Sequence, residues 1–248
     1  MVFEHILPPP PAIEGRCALF LDVDGTLLEF AAHPDGVRVP GELPEVLEAL
    51  HRRLDGAVAL VSGRSVDGLD ALFRPLRLPA AGLHGLELRP GGDEGRAGPV
   101  PEALAHVLDH ARGFAALRSG TVVEDKGSAV ALHWRAAPEH AEEMRGFAEA
   151  AVERLPGYRL QHGNQVAELR PEGADKGDAI AALAGEPPFR GRTPVFVGDD
   201  LTDEHGFEVV NECGGTSVLV GDRQPSAARY RLADTAAVLA WLRQGAGA

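Results

Sequence analysis

The feature that most constrains the fold is an apolar run that ends abruptly in acidic residues. Residues 17–25 read CALFLDVDG. A run without polar alternation is typical of a strand covered on both faces, as in a parallel sheet. It ends in Asp22, Asp24 and Gly25, and the glycine permits a sharp exit from the strand. Because sites in open parallel sheets lie beyond the carboxyl ends of the strands, we expect both aspartates at such a site.

The same arrangement recurs along the chain. Residues 57–64 read AVALVSGR, residues 78–85 read LPAAGLHG, and residues 193–200 read TPVFVGDD. Segments with apolar residues at helical spacing separate these runs, for example residues 43–54. Repeated strand, helix and strand units predict an α/β fold whose core is a parallel sheet with helices on both faces.

The middle of the chain follows another pattern. Residues 89–101 are rich in glycine and proline, which favours a linker. Residues 100–171 then alternate between helix and antiparallel strands, which predicts a small α+β domain. We therefore expect a core formed by residues 1–99 and 172–248, interrupted by an inserted domain at 100–171.

Charge and hydropathy limit the classes of partner. The formal net charge of −13 argues against binding to nucleic acid and to anionic membrane surfaces. No apolar run approaches the roughly 20 residues that span a bilayer, and the N-terminus does not resemble a secretory signal. We expect a cytoplasmic protein, a monomer, whose partner is a small molecule.

Four polar features follow predicted strands or begin a helix. They are Asp22-Val-Asp24, Ser62-Gly63-Arg64, Lys176, and Asp199-Asp200 with Asp203. Two carboxylates as close as those of Asp22 and Asp24 repel each other unless a cation lies nearby. With a third oxygen from Asp199, this set suits Mg²⁺, which prefers carboxylate, water and phosphate oxygens.

These residue types also suit phosphoryl transfer. One carboxylate can attack phosphorus to form an aspartyl phosphate, while the second protonates the leaving oxygen and later activates water. Each residue alone has a plainer interpretation. The Asp22–Asp24 pair can be a turn or helix cap, Ser62 a helix N-cap (a role that Ser65 fills equally well), and Lys176 a solvated side chain.

Together, the four features resemble those of the haloacid dehalogenase superfamily of phosphotransferases. The resemblance implies a Rossmann-like core with an inserted α+β cap domain. It implies that Asp22 is the nucleophile and a metal ligand, and that Asp24 is the general acid and base and a backbone ligand of Mg²⁺. It further assigns the phosphoryl group to Ser62 and Lys176, and the metal to Asp199. Supporting roles fall to Asp200 and Asp203.

Longer segments are similar to the trehalose-6-phosphate phosphatases of that superfamily, among them LFLDVDGTLLEFAAHPD, VEDKGSAVALHWR and VFVGDDLTDE. This narrower resemblance implies hydrolysis of trehalose 6-phosphate to trehalose and phosphate, as a step of trehalose biosynthesis. The substrate-binding residues that we predict with it are Arg64, His84, Gly85, Glu124, Lys126, Arg135 and Glu168. On their own, the charged residues of the inserted domain can equally form a solvated sheet face, and His84 can be a strand-end histidine bonded to backbone.

Other functions stay open at this point. The substrate can be another sugar phosphate, such as sucrose phosphate or a glucosyl- or mannosyl-phosphoglycerate. A mutase would move phosphate within a sugar. A non-catalytic protein that binds sugar phosphates would be expected to lack one of the key acidic residues or Lys176, all of which are present.

Overall fold

A computed structural model of the chain describes residues 7–29, 37–91, 96–97 (backbone), 100–173 and 175–247. The end of the LFLDVDGTLLEFAAHPD segment lies outside these residues. The chain forms two compact units, residues 1–96 with 175–248, and residues 97–174. These limits differ by a few residues from the predicted ones, and the role of the middle unit as a cap remains a prediction.

Strands and helices alternate along most of the chain. The strands are β1 (Cys17–Leu21), β2 (Val58–Val61), β3 (Ala80–Gly82), β4 (Glu87–Arg89), β5 (Arg96–Ala97), β6 (Val122–Asp125), β7 (Val130–His133), β8 (Tyr158–Gly163), β9 (Val166–Pro171), β10 (Thr193–Gly198), β11 (Thr216–Val220) and β12 (Tyr230–Leu232). The α-helices are α1 (Leu43–Arg53), α2 (Val66–Phe73), α3 (Glu102–Ala116), α4 (Ala141–Val152), α5 (Lys176–Ala184), α6 (Glu204–Glu212) and α7 (Thr235–Ala246).

The first unit is built on a sheet in the order β12-β11-β10-β1-β2-β3-β4-β5. Pairing is parallel from β12 to β3 and antiparallel between β3 and β4. Every residue of β1 and β2 is buried, so both faces of the central strands are covered. The predicted α/β class with a parallel-sheet core is confirmed.

Two local predictions were wrong, and short strands were missed. The predicted linker at 89–101 contains strand β5, although residues 92–95 and 98–99 lie outside the described part of the chain. Strand β12 was not predicted. Both strands are very short, so neither gives a periodic signal. The third apolar run ends as a strand at Gly82, and a 3₁₀ turn follows over Leu83–Gly85.

The second unit contains an antiparallel sheet in the order β6-β7-β9-β8. Its apolar face carries Val130, Leu132 and Leu169, which form one buried cluster with residues of α3 and α4 such as Leu104 and Met144. Cross-strand pairing aligns Glu124 with Ala131 and Ala131 with Glu168, so both glutamates lie on the opposite face. None of the described helices, in either unit, is long and apolar enough to cross a membrane.

Candidate active site

Asp22 lies immediately after β1 and forms a buried ion pair with Lys176. The backbone N–H of Asp22 donates to the carbonyl of Val197 on β10, which fixes the start of the loop. Lys176 occupies the first turn of α5, after its N-cap Asp175. Its Nζ donates to Asp22 Oδ1 at 2.7 Å and to Asp203 Oδ1 at 2.7 Å. The side chain of Lys176 is only 4% exposed, so the solvated-lysine interpretation is wrong.

Asp203 shapes the loop after β10. Its Oδ2 accepts the backbone N–H groups of Asp199 at 2.9 Å and of Asp200 at 3.0 Å. A side chain on Gly198 would meet Asp203 Cγ at 2.4 Å, so this approach requires glycine. Arg223, from the loop after β11, donates to the carbonyls of both Asp199 and Asp200. The loop that presents Asp199 is therefore held by the backbone contacts of two side chains.

Asp22, Asp199 and Asp203, here called the acidic cluster, each offer an oxygen within 4.8 Å of the others. Burial raises the pKa of Asp22 to about 7, and Asp199 adds to the rise, while Lys176 opposes it. Burial likewise raises the pKa of Asp199 and of Asp203 to about 7. Burial would lower the pKa of Lys176, but the charges of Asp203 and Asp22 raise it instead. One ammonium thus faces three carboxylates, which leaves two negative charges uncompensated when all are ionised.

The chemistry of the acidic cluster fits a divalent cation. Asp22 Oδ2 is buried and has no hydrogen-bond partner in the described part of the chain. Such an oxygen is costly to bury unless something positive or hydrogen-bonding reaches it. A divalent ion would coordinate this oxygen and balance the excess of two negative charges. Asp22 and Asp199, two of the three predicted ligands, lie together here.

Asp24, the third predicted ligand, directs its side chain to Arg64. Arg64 Nε donates to Asp24 Oδ2 at 2.7 Å, and Nη2 donates to Oδ1 at 2.6 Å. The backbone N–H of Arg64 donates to Ser62 Oγ at 3.2 Å. Ser65, and not Ser62, caps α2 by accepting from the N–H of Gly68. The helix-cap interpretation of Ser62 is therefore wrong. The role of Ser62 towards phosphate and the role of Asp24 towards the metal remain predictions.

His84 and Gly85 lie in the turn after β3. Leu83 and His84 both have left-handed backbone angles, with φ of 49° and 56°, which is uncommon for residues other than glycine and often marks functional sites. The N–H of His84 donates to the carbonyl of Ser62 at 2.9 Å. A Cβ on Gly63 would lie 2.6 Å from His84 Nε2, so the imidazole packs directly on this glycine. The structure brings His84 next to the Ser62 strand end.

The predicted residues of the second unit make polar contacts in and beside its sheet. Lys126 Nζ donates to Glu168 Oε2 at 2.9 Å. Glu168 is buried, and its Oε1 lacks a partner among the described residues. Glu124 Oε2 lies 2.9 Å from His133 Nε2. Arg135 donates to the carbonyl of Asn164 at 3.4 Å.

Sequence reasoning missed His133 and Arg223. His133 becomes a neighbour of Glu124 through cross-strand geometry, which the sequence does not reveal. Arg223 follows a strand end, as Asp22 and Ser62 do, so its position offered a signal.

The chain is similar to known proteins over most of its length. The family model described as trehalose-phosphatase matches residues 20–236. The chain is 44% identical to trehalose-6-phosphate phosphatase of Escherichia coli K12, over 95% of this chain and 89% of that protein. It is 47% identical to a probable trehalose-phosphate phosphatase of Sinorhizobium fredii, over 84% of this chain and 79% of that protein. The structure of the C-terminal domain of trehalose-6-phosphate phosphatase of C. albicans superposes with a TM-score of 0.76 at 22% identity, over 97% of this chain and 99% of that one, which shows a shared fold. The chain belongs to the trehalose-phosphatase family.

Proposed function

We propose that the protein is a magnesium-dependent phosphatase that hydrolyses trehalose 6-phosphate to trehalose and phosphate through an aspartyl phosphate on Asp22. Relatives at 44% and 47% identity carry the names of trehalose-phosphate phosphatases. The observation that carries the chemistry is the buried Asp22, held by Lys176 through one oxygen while its other oxygen has no partner among the described residues. This arrangement suits a nucleophile kept in a fixed orientation.

The residues at the strand ends divide the reaction between them. Asp22 attacks phosphorus, and the bond between phosphorus and the sugar oxygen breaks as the Asp22–phosphorus bond forms. Asp24 gives its proton to the leaving sugar oxygen. Asp24 then takes a proton from the water that attacks the aspartyl phosphate, which releases phosphate and restores Asp22. Ser62 and Lys176 provide donors for the phosphoryl oxygens.

Mg²⁺ is the proposed ion. Asp22, Asp199 and the backbone oxygen of Asp24 would hold it, since an all-oxygen set with room for water and phosphate is what Mg²⁺ prefers. When bound, the ion supplies positive charge that offsets the phosphoryl oxygens and the acidic cluster.

The second unit is proposed to recognise the sugar. Glu124, Lys126, Arg135 and Glu168 are polar groups in or beside one sheet. The buried Oε1 of Glu168 has no partner among the described residues and can accept a hydrogen bond from a sugar hydroxyl. A site that hydrogen-bonds hydroxyl groups rejects ligands that lack them. In the first unit, His84 and Gly85 are the proposed substrate contacts. We further propose that the protein is a monomer in the cytoplasm.

A substrate panel tests the proposal. Phosphate release with Mg²⁺ is measured on trehalose 6-phosphate, sucrose phosphate, hexose phosphates, and glucosyl- and mannosyl-phosphoglycerate. We expect trehalose 6-phosphate to give the highest kcat/KM, and equal or faster turnover of another sugar would contradict the assignment. Isomerised sugar phosphate without free phosphate would indicate a mutase, and binding without turnover a non-catalytic protein. The variant Asp22→Asn should retain the fold and lose turnover.

A further inference from the structure

Arg64 holds both carboxylate oxygens of Asp24. The two contacts, Nε to Oδ2 at 2.7 Å and Nη2 to Oδ1 at 2.6 Å, form the parallel fork in which a guanidinium meets an ionised carboxylate. The two side chains are 22% and 29% exposed, so the pair is partly shielded from water. This geometry fixes the rotation of the Asp24 carboxylate as well as its position.

The backbone of Arg64 is itself tied into the site. Its N–H donates to Ser62 Oγ at 3.2 Å, and its carbonyl accepts from the N–H of Leu83 at 2.9 Å. A Cβ on Gly82 would lie 3.0 Å from the same carbonyl, so strand β3 packs closely against it. The backbone of Arg64 is therefore held in place by two neighbouring strand ends, and its guanidinium reaches Asp24 from this fixed position.

We propose that Arg64 is a positioning residue, which acts on the reaction by orienting the carboxylate of Asp24 for proton exchange. The inference rests on the proposed function, in which Asp24 exchanges protons with the leaving oxygen and with water. It differs from the predicted role of Arg64 as a direct contact of the substrate.

The ion pair between Arg64 and Asp24 closes in the first half of the reaction and opens in the second. A protonated carboxyl has one hydroxyl oxygen, which acts as a donor, and one carbonyl oxygen, which still accepts. Arg64 therefore holds protonated Asp24 through the carbonyl oxygen only. When the proton passes to the sugar oxygen as its bond to phosphorus breaks, both oxygens are again available to Arg64. When a proton of the attacking water passes to Asp24, the fork opens once more.

The dependence on the leaving group distinguishes this role from substrate binding. The experiment compares kcat/KM for trehalose 6-phosphate with kcat/KM for p-nitrophenyl phosphate, whose phenolate leaves without a proton donor. This constant reports the steps up to release of the leaving group. For Arg64→Ala we expect a loss of about 100-fold with the sugar phosphate, within the range of general acid catalysis, and little change with the aryl phosphate. Arg64→Lys, which cannot form the fork, should fall between Arg64→Ala and wild type.

Two further variants complete the design. In an Asp24→Asn background, Arg64→Ala should cause little additional loss, because the residue acts through Asp24. Arg112→Ala removes an arginine that is 54% exposed in the second unit, and it should change neither constant. Circular dichroism shows that each variant is folded, since Asp24→Asn also removes the base that the proposed reaction needs to turn over the aryl phosphate.

Three results would overturn the proposal. They are an equal loss with both substrates, a rise in KM for the sugar phosphate at unchanged kcat, and a loss that adds fully to that of Asp24→Asn. The first indicates contact with the phosphoryl group or a structural role, and the second contact with the sugar. If wild-type protein fails to hydrolyse trehalose 6-phosphate, the proposed function fails, and the same comparison is made with whichever alkyl phosphate it hydrolyses.

Discussion

Replacing Asp22 by asparagine should abolish turnover and, at the same time, stabilise the metal-free protein. The substitution keeps the shape of the side chain and removes one negative charge from the acidic cluster, in which Lys176 alone opposes three carboxylates. An amide oxygen can still accept the hydrogen bond from Lys176. The stabilisation should appear only where Asp22 would otherwise be ionised.

The pKa of Asp22 gives the magnitude and the sign. Its rise from 3.8 to about 7 means that the folded protein binds more protons than the unfolded chain between these values. The stability of the metal-free wild type therefore falls as pH rises through this window. Three pKa units correspond to about 4 kcal/mol. Relaxation around the charge reduces this figure, so we expect Asp22→Asn to gain about 2 kcal/mol at pH 8 and less than about 1 kcal/mol at pH 5.

Urea denaturation with EDTA at both pH values, followed by circular dichroism, measures this difference. Asp203→Asn provides the contrast, because that carboxylate accepts two backbone N–H groups and the Lys176 ammonium, and an amide cannot accept all three. Asp203→Asn should destabilise the protein although it removes the same charge. Destabilisation by Asp22→Asn at pH 8, or a gain as large at pH 5 as at pH 8, would refute the reasoning.

Three further predictions concern the same region. Binding of Mg²⁺ should release protons at pH 7 and weaken as pH falls below 7, because the raised pKa values of Asp22 and Asp199 let protons compete with the ion. Calorimetry in buffers of different ionisation enthalpy measures the number of protons released. No release would be seen if the acidic cluster were fully ionised. Lys176→Met should lower the free energy of unfolding by about 3–5 kcal/mol at pH 8 and abolish turnover, since its carboxylate partners lose their cation; an unchanged urea midpoint would contradict this. Gly63→Ala should displace the His84 ring and lower kcat/KM about tenfold or more, whereas Gly113→Ala, with open space around it, should leave activity intact.

The sequence predicted the sheet core well because its strands are buried on both faces. Burial on both faces produces uninterrupted apolar runs, and the polar residues that end them mark the strand ends where Asp22, Ser62 and Asp199 lie. The edge strands β5 and β12 escaped prediction because two or three residues carry no period.

Contacts between side chains were harder to predict than positions. The sequence placed Asp24 and Arg64 at neighbouring strand ends, but not their ion pair, which depends on the rotamers of both residues. The contact of Glu124 with His133 likewise depends on strand pairing. Sequence motifs therefore located the site, but the hydrogen bonds and ion pairs between its side chains became visible only in the structure.

Hydrogen bonding assigns different tasks to two chemically identical aspartates. Asp203 is fully buried and has both oxygens occupied, one by Lys176 and the other by two backbone N–H groups. Asp22 is buried beside it, yet only one of its oxygens has a partner in the part of the chain described. Three hydrogen bonds fill most of the roughly four lone-pair sites of this carboxylate and hold it in place, so Asp203 suits a structural role. A buried oxygen without a hydrogen bond lowers the stability of the fold. At Asp22 the same oxygen is held in a fixed position and is available for the proposed attack on phosphorus.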